Sequence, residues 1–282
     1  MKFTIIADSG CDMTAKSFKS DKFNFFTVPL TITLGDKNIV DVEGLKITDL
    51  VEQMKANKGK ACTACPNPDA FADQMRKGND YQFVVTLTSV LSGTHSSAVK
   101  GAEIVMAENP KKKIHIIDSR TASSGEDLII DELVRLIESG LEFEEIVTKI
   151  DKFRDEHKTR FIIQDVSNLV KTGRMSKVKA AIVNMTMIKP VLGDNGKGEI
   201  VLIDKCIGLK KAMIKLSDMP AEKIAEYGKD TPMIITHCLN EVQANELRDL
   251  IVAKHGATNI SVRPMRGISS FYANDKGLIL AF

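Results

Sequence analysis

The chain has 282 residues and a formal net charge of +2, with 43% hydrophobic and 27% charged residues. A chain of this kind can build one large or two ordinary globular domains around a sizeable core. The small net charge argues against nucleic acid as a partner, and the absence of a run of about 18 apolar residues argues against stable membrane insertion.

Short apolar runs predict buried β-strands along much of the chain. They are Phe3–Ala7, Phe83–Leu87, Ile114–Ile117, Phe161–Ile163 and Met233–Ile235. Continuous apolar runs are typical of parallel strands that are covered on both faces. Because helical patterns follow most of these runs, the sequence predicts βαβ units and a parallel sheet flanked by helices.

Helix signals lie between these strands. Asn67 can cap a helix, Pro68 suits its first turn and Gly78 can end it. Ser123 and Glu126 match a capping box, in which each side chain bonds the backbone N–H of the other residue.

Two more helices are predicted in the second half of the chain. One covers Met175–Lys189 and is stopped by Pro190, since a proline disfavours the helical conformation in the residue before it. The other begins at Asn240 with Gln243 and ends near Gly256.

Two segments predict β-hairpins. Phe25–Val40 would turn at Gly35-Asp36, and Pro190–Ile207 would turn within Asp194–Gly198. The second hairpin is followed by an alternation of helices and strands, which predicts an α+β arrangement for that part of the chain.

The expected fold class is α/β with two domains and a ligand between them. Residues 1–164 form an N-terminal domain with the parallel sheet, and residues 165–282 form the C-terminal α+β domain. The boundary lies near residue 164.

The five cysteines indicate neither a disulfide framework nor a metal site. Cys62 and Cys65 form a C-x-x-C pair, but Pro66 and Pro68 follow where a redox motif would open a helix. No second cysteine pair and no paired histidines complete a zinc site. Cysteines without the spacing of a disulfide framework favour a reducing compartment. Met1–Asp8 becomes acidic too early for a signal peptide, so a cytoplasmic location is expected.

Hydroxyl-bearing residues follow the predicted strands. The segments are Asp8–Asp12, Thr88–Thr94, Asp118–Gly125 and, further on, Thr172–Ser176. Ligands of open α/β sheets gather at the carboxyl ends of the strands, where hydroxyls and free N–H groups can hold an anion. Helix capping alone also explains each segment taken singly.

Standard catalytic motifs are missing from the sequence. There is no G-x-S-x-G elbow, no H-E-x-x-H, no Walker A loop and no G-x-G-x-x-G. The glycine-rich run Gly193–Gly198 lies in a predicted hairpin turn, and no acid can be assigned to orient His95 beside Ser96. An anion site without a catalytic base favours a binding protein over an enzyme.

Six motifs, in this order, resemble those of the DegV family, which includes the FakB-like fatty-acid-binding proteins of bacterial fatty acid kinase. They are Asp8-Ser9-x-x-Asp12, Cys62-Thr63-Ala64-Cys65-Pro66, Ser89-x-Leu91-Ser92-Gly93-Thr94, Asp118-Ser119 with Ala122-Ser123-x-Gly125, Thr172-Gly173-Arg174-Met175-Ser176 and Ile188-Lys189-Pro190. The third motif is the most specific, and the resemblance runs nearly from end to end.

The resemblance implies a long-chain fatty acid in a tunnel between two domains, without cofactor or metal, and a separate kinase that phosphorylates the carboxylate. Thr63, Ser92, Gly93 and Thr94 would hold that carboxylate, and Arg174 would lie at the mouth, near the carboxylate or the kinase. Methionine fills irregular apolar space. The candidate tunnel walls are Met175, Ile182, Val183, Met185, Met187 and Ile188.

The sequence departs from the family pattern in two places. Tyr272 stands where the family has a histidine that helps to bind the carboxylate, and its hydroxyl donates one hydrogen bond but carries no charge. The family's arginine after the second hairpin is absent, since Cys206-Ile207-Gly208-Leu209 stands there. Delivery to a kinase is therefore less expected than lipid binding.

Two alternatives to a kinase-serving carrier stay open. One is an enzyme that acts on a small hydroxylated or phosphorylated metabolite, and the other is a lipid-sensing interaction protein without a kinase partner. Burial of an acyl chain contributes about 0.8 kcal/mol per CH₂, on the order of 10 kcal/mol in all, which favours lipid binding even without one head-group donor. Co-purified acyl chains would support both lipid-binding hypotheses.

Overall fold

The structure, a computed structural model, describes residues 2–175 and 188–282. Within these ranges the strands are β1 (Phe3–Asp8), β2 (Phe23–Val28), β3 (Thr31–Leu34), β4 (Lys37–Val40), β5 (Ala61–Ala64), β6 (Tyr81–Thr86), β7 (Lys113–Asp118), β8 (Thr159–Ile162), β9 (Ile188–Asp194), β10 (Ile200–Ile207), β11 (Met233–His237), β12 (Ile260–Pro264) and β13 (Leu278–Ala281). The helices are α1 (Ile47–Ala56), α2 (Pro68–Lys77), α3 (Thr94–Glu108), α4 (Ser124–Glu138), α5 (Phe143–Glu156), α6 (Ser167–Lys171), α7 (Leu209–Asp218), α8 (Ala221–Tyr227), α9 (Glu241–His255) and α10 (Gly267–Ala273).

Four strands form a parallel sheet in the order β2-β1-β6-β7. Successive side chains of a strand point to opposite faces. Ile5 and Phe83 therefore pack under α4 and α5, whereas Ile6 and Val84 pack under α2 and α3. The predicted parallel sheet flanked by helices is confirmed.

Six strands form a second, mixed sheet in the order β10-β9-β8-β13-β11-β12. Among the described residues its pairs are antiparallel except β11 with β12. The apolar runs Phe161–Ile163 and Met233–Ile235 belong to this sheet, as β8 and β11, and not to the parallel sheet. Helix α4 lies between the two sheets, because it also packs against β11 and β13.

The strand pairing bears on the predicted boundary near residue 164. Strand β8 precedes that boundary, yet it is hydrogen-bonded to β9 and β13, which follow it. Residue Phe282, next to β13, exchanges two backbone hydrogen bonds with Lys158, at 2.8 and 3.0 Å. The division into residues 1–164 and 165–282 stays a prediction.

A small antiparallel sheet in the order β4-β3-β5 accounts for only part of the first predicted hairpin. Strands β3 and β4 turn at Gly35, whose φ of +61° suits glycine. Phe25–Val28 instead lies in β2, and Pro29, which has no N–H for a strand ladder, separates it from β3. Strand β5 pairs with β3 and places Thr63 opposite Ile32.

The predicted helix starts had different outcomes. Asn67 caps α2 by accepting the N–H of Ala70 at 2.8 Å, and Pro68 opens that helix, as predicted. The capping box of Ser123 and Glu126 is wrong. Ser123 has a φ of 56° and no capping bond, because its hydroxyl bonds Thr236 Oγ1 at 2.7 Å and the carboxylate of Asp12.

The second half of the chain confirms the hairpin of β9 and β10 and the helix α9, which ends at Gly256. The predicted end of the helix over Met175–Lys189 is wrong, since Ile188 and Lys189 belong to β9. The rest of that prediction falls on residues 176–187, outside the described residues. No described helix combines the length and hydropathy that a membrane crossing requires.

Candidate functional site

A largely apolar cavity lies between the carboxyl edge of the parallel sheet and the mixed sheet. It encloses about 900 Å³, including the space at its open mouth. Leu87 and Ala122 line it from the loops after β6 and β7, while Phe161, Ile163 and Ile279 line it from the mixed sheet. The predicted ligand position, beyond the ends of the parallel strands, therefore coincides with a largely apolar cavity.

Two hydroxyls meet on the wall of this cavity. Thr63 of β5 and Tyr272 of α10 both line it, and their hydroxyl oxygens are 2.7 Å apart. Either hydroxyl can donate to the other, so one of their protons stays free to bond an acceptor in the cavity. Tyr272, which the resemblance aligns with the family's histidine, thus lies beside the predicted threonine.

Within the segment Ser92–Thr94, only the first residue lines the cavity, and the other two lie behind it. Ser92 lines the cavity, and its Oγ lies 2.7 Å from Thr94 Oγ1 and accepts the N–H of Thr94 at 3.3 Å. Thr94 is buried at the start of α3, and neither it nor Gly93 is among the lining residues. The Cys65 sulfur lies 3.2 Å from the position of a β-carbon on Gly93, so the two predicted carboxylate-binding segments are neighbours.

Arg174 brings a positive charge to the same cavity. Its Nε donates to the carbonyl of Leu91 at 3.2 Å and its Nη1 to that of Thr172 at 2.5 Å. The ion pairs formed among the described residues do not include Arg174. Its charge is therefore available to an anionic ligand beside Ser92. We call Thr63, Ser92, Tyr272 and Arg174 the head-group wall.

Of the six predicted tunnel-wall residues, the structure describes only two. Met175 is buried against Phe161, and Ile188 begins β9, but neither lines the cavity. Candidates Ile182, Val183, Met185 and Met187, and Ser176 of the fifth motif, lie outside the described residues. The apolar walls come from loops, helices and strands alike, with Leu87, Ile268 and Phe161 as examples.

Further hydroxyls line the cavity that were not assigned to the carboxylate individually from the sequence. Thr121 and Thr159 are bonded to each other at 2.7 Å, and Ser269 donates to the carbonyl of Gly10 at 3.1 Å. Ser123 also lines the cavity. Thr121 and Ser123 lie within the Asp118–Gly125 motif, which was the signal that could have identified them.

Five carboxyl groups lie close together behind the cavity, where the parallel and mixed sheets meet. We call Asp8, Asp12, Asp41, Glu126 and Asp127 the acid seam. Four have no exposed surface and Asp12 is half-buried. Burial raises the pKa of Asp8 to about 7 and that of Asp12 to about 6, and it also raises the pKa of Asp41, Glu126 and Asp127.

Backbone N–H groups and Arg263 hold most of the acid seam. Asp8 accepts the N–H groups of Gly10 and Leu87, both at 2.7 Å, and Asp127 accepts the N–H of Asp12 at 2.8 Å. Arg263 Nη1 lies 3.5 Å from Asp127. Both carboxyl oxygens of Glu126 lack a hydrogen-bond partner. No group of three metal-ligating side chains is arranged around a cation site in the part of the chain that the structure describes.

Comparison with known proteins decides the family. The model described as "Uncharacterised protein, DegV family" matches residues 2–278. The chain belongs to the DegV family. A DegV domain-containing protein of Streptococcus gordonii is 35% identical to it over 283 residues, which cover 100% of this chain and 99% of that relative.

Solved DegV structures share the whole fold. The Streptococcus pneumoniae Fatty Acid Kinase (Fak) B3 protein, loaded with linoleic acid, superimposes with a TM-score of 0.93 at 34% identity and covers 100% of this chain and 99% of that one. A DegV protein of Ruminococcus gnavus with vaccenic acid superimposes with a TM-score of 0.92 at 31% identity, with the same coverage. The resemblance and the fold class predicted from the sequence are confirmed.

Proposed function

We propose that this DegV protein binds one long-chain fatty acid in the cavity between its sheets and acts as a carrier without catalytic residues of its own. The observation that carries the proposal is the apolar cavity with the head-group wall at its side. Related DegV proteins above 30% identity were crystallised with linoleic and vaccenic acid, which supports the same ligand class here.

The acyl chain and the carboxylate would contribute differently. Each buried CH₂ contributes about 0.8 kcal/mol, so the chain supplies most of the affinity. A hydrogen bond to a charged group contributes roughly 1.5–3 kcal/mol, so Thr63, Ser92 and Tyr272 would set the orientation. Arg174 would add charge complementarity and keep the carboxylate at this end of the cavity.

A carrier of this kind would present the carboxylate to a fatty acid kinase in the cytoplasm, with Arg174 near the transferred group. Ile207 is 60% exposed and Cys206 is buried, at the place where the family has an arginine. A kinase would therefore have to dock without that charge. This substitution also favours the second candidate function, a lipid-sensing protein without a kinase.

Native mass spectrometry tests the ligand directly. Protein purified gently from a bacterial host should carry an added mass that equals one fatty acid. A protein that is free of lipid, and that also fails to bind added palmitic acid, would contradict the proposal. Formation of acyl phosphate with a fatty acid kinase and ATP would then separate the carrier from the lipid sensor.

The head-group wall is tested by Thr63→Val combined with Ser92→Ala. Loss of two donors should weaken palmitic acid binding by about tenfold or more, at about 1.4 kcal/mol per decade. A matched control is Thr33→Val with Ser96→Ala, since Thr33 bonds Asn38 in the same small sheet and neither hydroxyl lines the cavity. Equal affinities of the two double variants would refute the assignment of the wall.

A further inference from the structure

Helix α10, which carries Tyr272, lacks a cap from its own segment. Arg266 stands at the N-cap position in an extended conformation, and its side chain makes no capping bond. The first N–H groups of any helix lack partners within the helix, and buried ones need acceptors from elsewhere. Gly267 and Ile268 are buried, so the source of their acceptors matters for the position of the helix.

The acceptors come from two carboxylates of the acid seam. Asp41 Oδ1 accepts the N–H of Gly267 at 3.1 Å, and its Oδ2 accepts that of Ile268 at 2.8 Å. Asp12 Oδ1 accepts the N–H of Arg266 at 2.7 Å. Three consecutive N–H groups at the start of α10 are thus bonded by side chains from the first part of the chain.

The contact with Asp41 is close enough to require glycine at position 267. A β-carbon there would stand 2.5 Å from Asp41 Oδ1 and 2.7 Å from its Cγ. Real β-carbons do not approach other atoms so closely, and the buried Asp41 carboxylate would have to shift away from α10. The position of Asp41 and that of α10 therefore depend on each other.

Asp41 also belongs to the sheet that carries Thr63. It follows β4 directly, and its N–H donates to the carbonyl of Leu30 at 2.9 Å. Strand β3 joins β4 to β5, on which Thr63 lies. The small sheet thus provides one hydroxyl of the head-group wall and also holds the helix that provides another, Tyr272.

We propose that Asp41 is a positioning residue of the head-group site. By capping α10 from the small sheet, it sets the spacing between Thr63 and Tyr272 and so the preference of the cavity for a carboxylate. Asp41 is not among the lining residues and acts through Tyr272. The inference rests on the proposed function, because it concerns the same fatty acid site.

The test compares two ligands with the same acyl chain, palmitic acid and hexadecanol. Asp41→Ala should weaken binding of the acid by about tenfold and that of the alcohol by about twofold or less. The ratio of affinities, acid over alcohol, should therefore fall. Asp41→Asn keeps one oxygen acceptor and should give an intermediate ratio. A purely structural role would weaken both ligands equally and leave the ratio unchanged.

A further variant tests the contact between Asp41 and Gly267, and another serves as its control. Gly267→Ala should lower the ratio as Asp41→Ala does, because its β-carbon displaces the carboxylate. Asp131→Asn is the control: Asp131 accepts Arg263 Nη2 at 2.5 Å where the sheets meet but makes no hydrogen bond to α10. It should lower the melting temperature and keep the ratio of affinities.

A double-mutant cycle shows whether Asp41 acts through Tyr272. In a Tyr272→Phe background, Asp41→Ala should change the ratio by less than about half of its effect in the wild type, on a logarithmic scale. Independent effects, or an unchanged ratio in both Asp41→Ala and Gly267→Ala, would overturn the inference while fatty acid binding stands. A wild-type protein that binds neither ligand would overturn the proposed function and the inference with it.

Discussion

The head-group wall and the acid seam are both polar and both draw on distant parts of the chain, but they differ in how their hydrogen bonds are used. In the wall, Thr63 and Tyr272 bond each other and keep a spare proton. In the seam, Asp8, Asp12 and Asp41 accept backbone N–H groups. Spare donors suit a ligand that comes and goes, whereas carboxylates bonded to backbone N–H groups, as Asp8, Asp12 and Asp41 are, suit a permanent join between two sheets.

Among the changes that test the structural role of the acid seam, Asp12→Ala should have the largest effect on stability. This change leaves the N–H of Arg266 without its acceptor and removes one of the two partners of the Ser123 hydroxyl. A buried unpaired donor costs about 1–3 kcal/mol and a lost hydrogen bond about 1 kcal/mol. The free energy of unfolding should fall by about 3 kcal/mol in urea titrations. Exposed Asp21→Ala should change it by less than about 0.5 kcal/mol, and an equally small change for Asp12→Ala would contradict the role given to the seam.

The pH dependence of the free energy of unfolding tests the acid seam separately from the head-group wall. In the folded protein the pKa of Asp8 is raised to about 7 and that of Asp12 to about 6, above the value of 3.8 for a free side chain. The folded state therefore binds more protons than the unfolded state over this range, and stability is greatest near pH 4 and falls as the pH rises to about 7. From these two carboxyls together, the free energies of unfolding at pH 5 and pH 8 should differ by on the order of 4 kcal/mol.

Asp8→Asn separates the seam from other titrating groups. It removes the carboxyl whose pKa is raised to about 7, so the loss of stability between pH 5 and pH 8 should shrink. A stability that rises with pH in this range would contradict the assignment of raised pKa values to the seam.

The smallest effect is expected for Tyr272→His, which places a titratable cation in the head-group wall. A histidine with an ordinary pKa of about 6.5 is charged at pH 5.5 and neutral at pH 8. Palmitic acid should therefore bind the variant a few-fold more tightly at pH 5.5, whereas the change in the wild type should be smaller. Tyr272→Phe, which has no titratable group, is the matched control. Equal pH profiles of the two variants would place residue 272 away from the carboxylate.

Much of the site could be predicted because its residues lie in short motifs. Thr63, Ser92, Arg174 and Tyr272 were named from the sequence, and the structure brings them to one cavity. The cap of α2 was also predictable, because Asn67 accepts the N–H of Ala70, only three residues further along the chain.

The rest could not be predicted, because it depends on contacts between distant segments. Asp41 caps a helix that begins 226 residues later, and no local pattern marks such a pair. The spacing of Ser123 and Glu126 fits a capping box, but Asp12 and Thr236 take the serine hydroxyl instead. Continuous apolar strands show burial on both faces, not direction, and the mixed sheet buries β8 and β11 as fully as a parallel sheet would.

The central place of β13 has a consequence for protein synthesis. The four parallel strands are complete once Asp118 has been made, so that sheet can form while translation continues. Strand β8 must wait with one edge unpaired until Leu278–Ala281 leaves the ribosome, since β13 is its neighbour on that side. Ile279 also lines the cavity, so the cavity wall is complete only after this strand has been made, and until then the edge of β8 is open to wrong pairing.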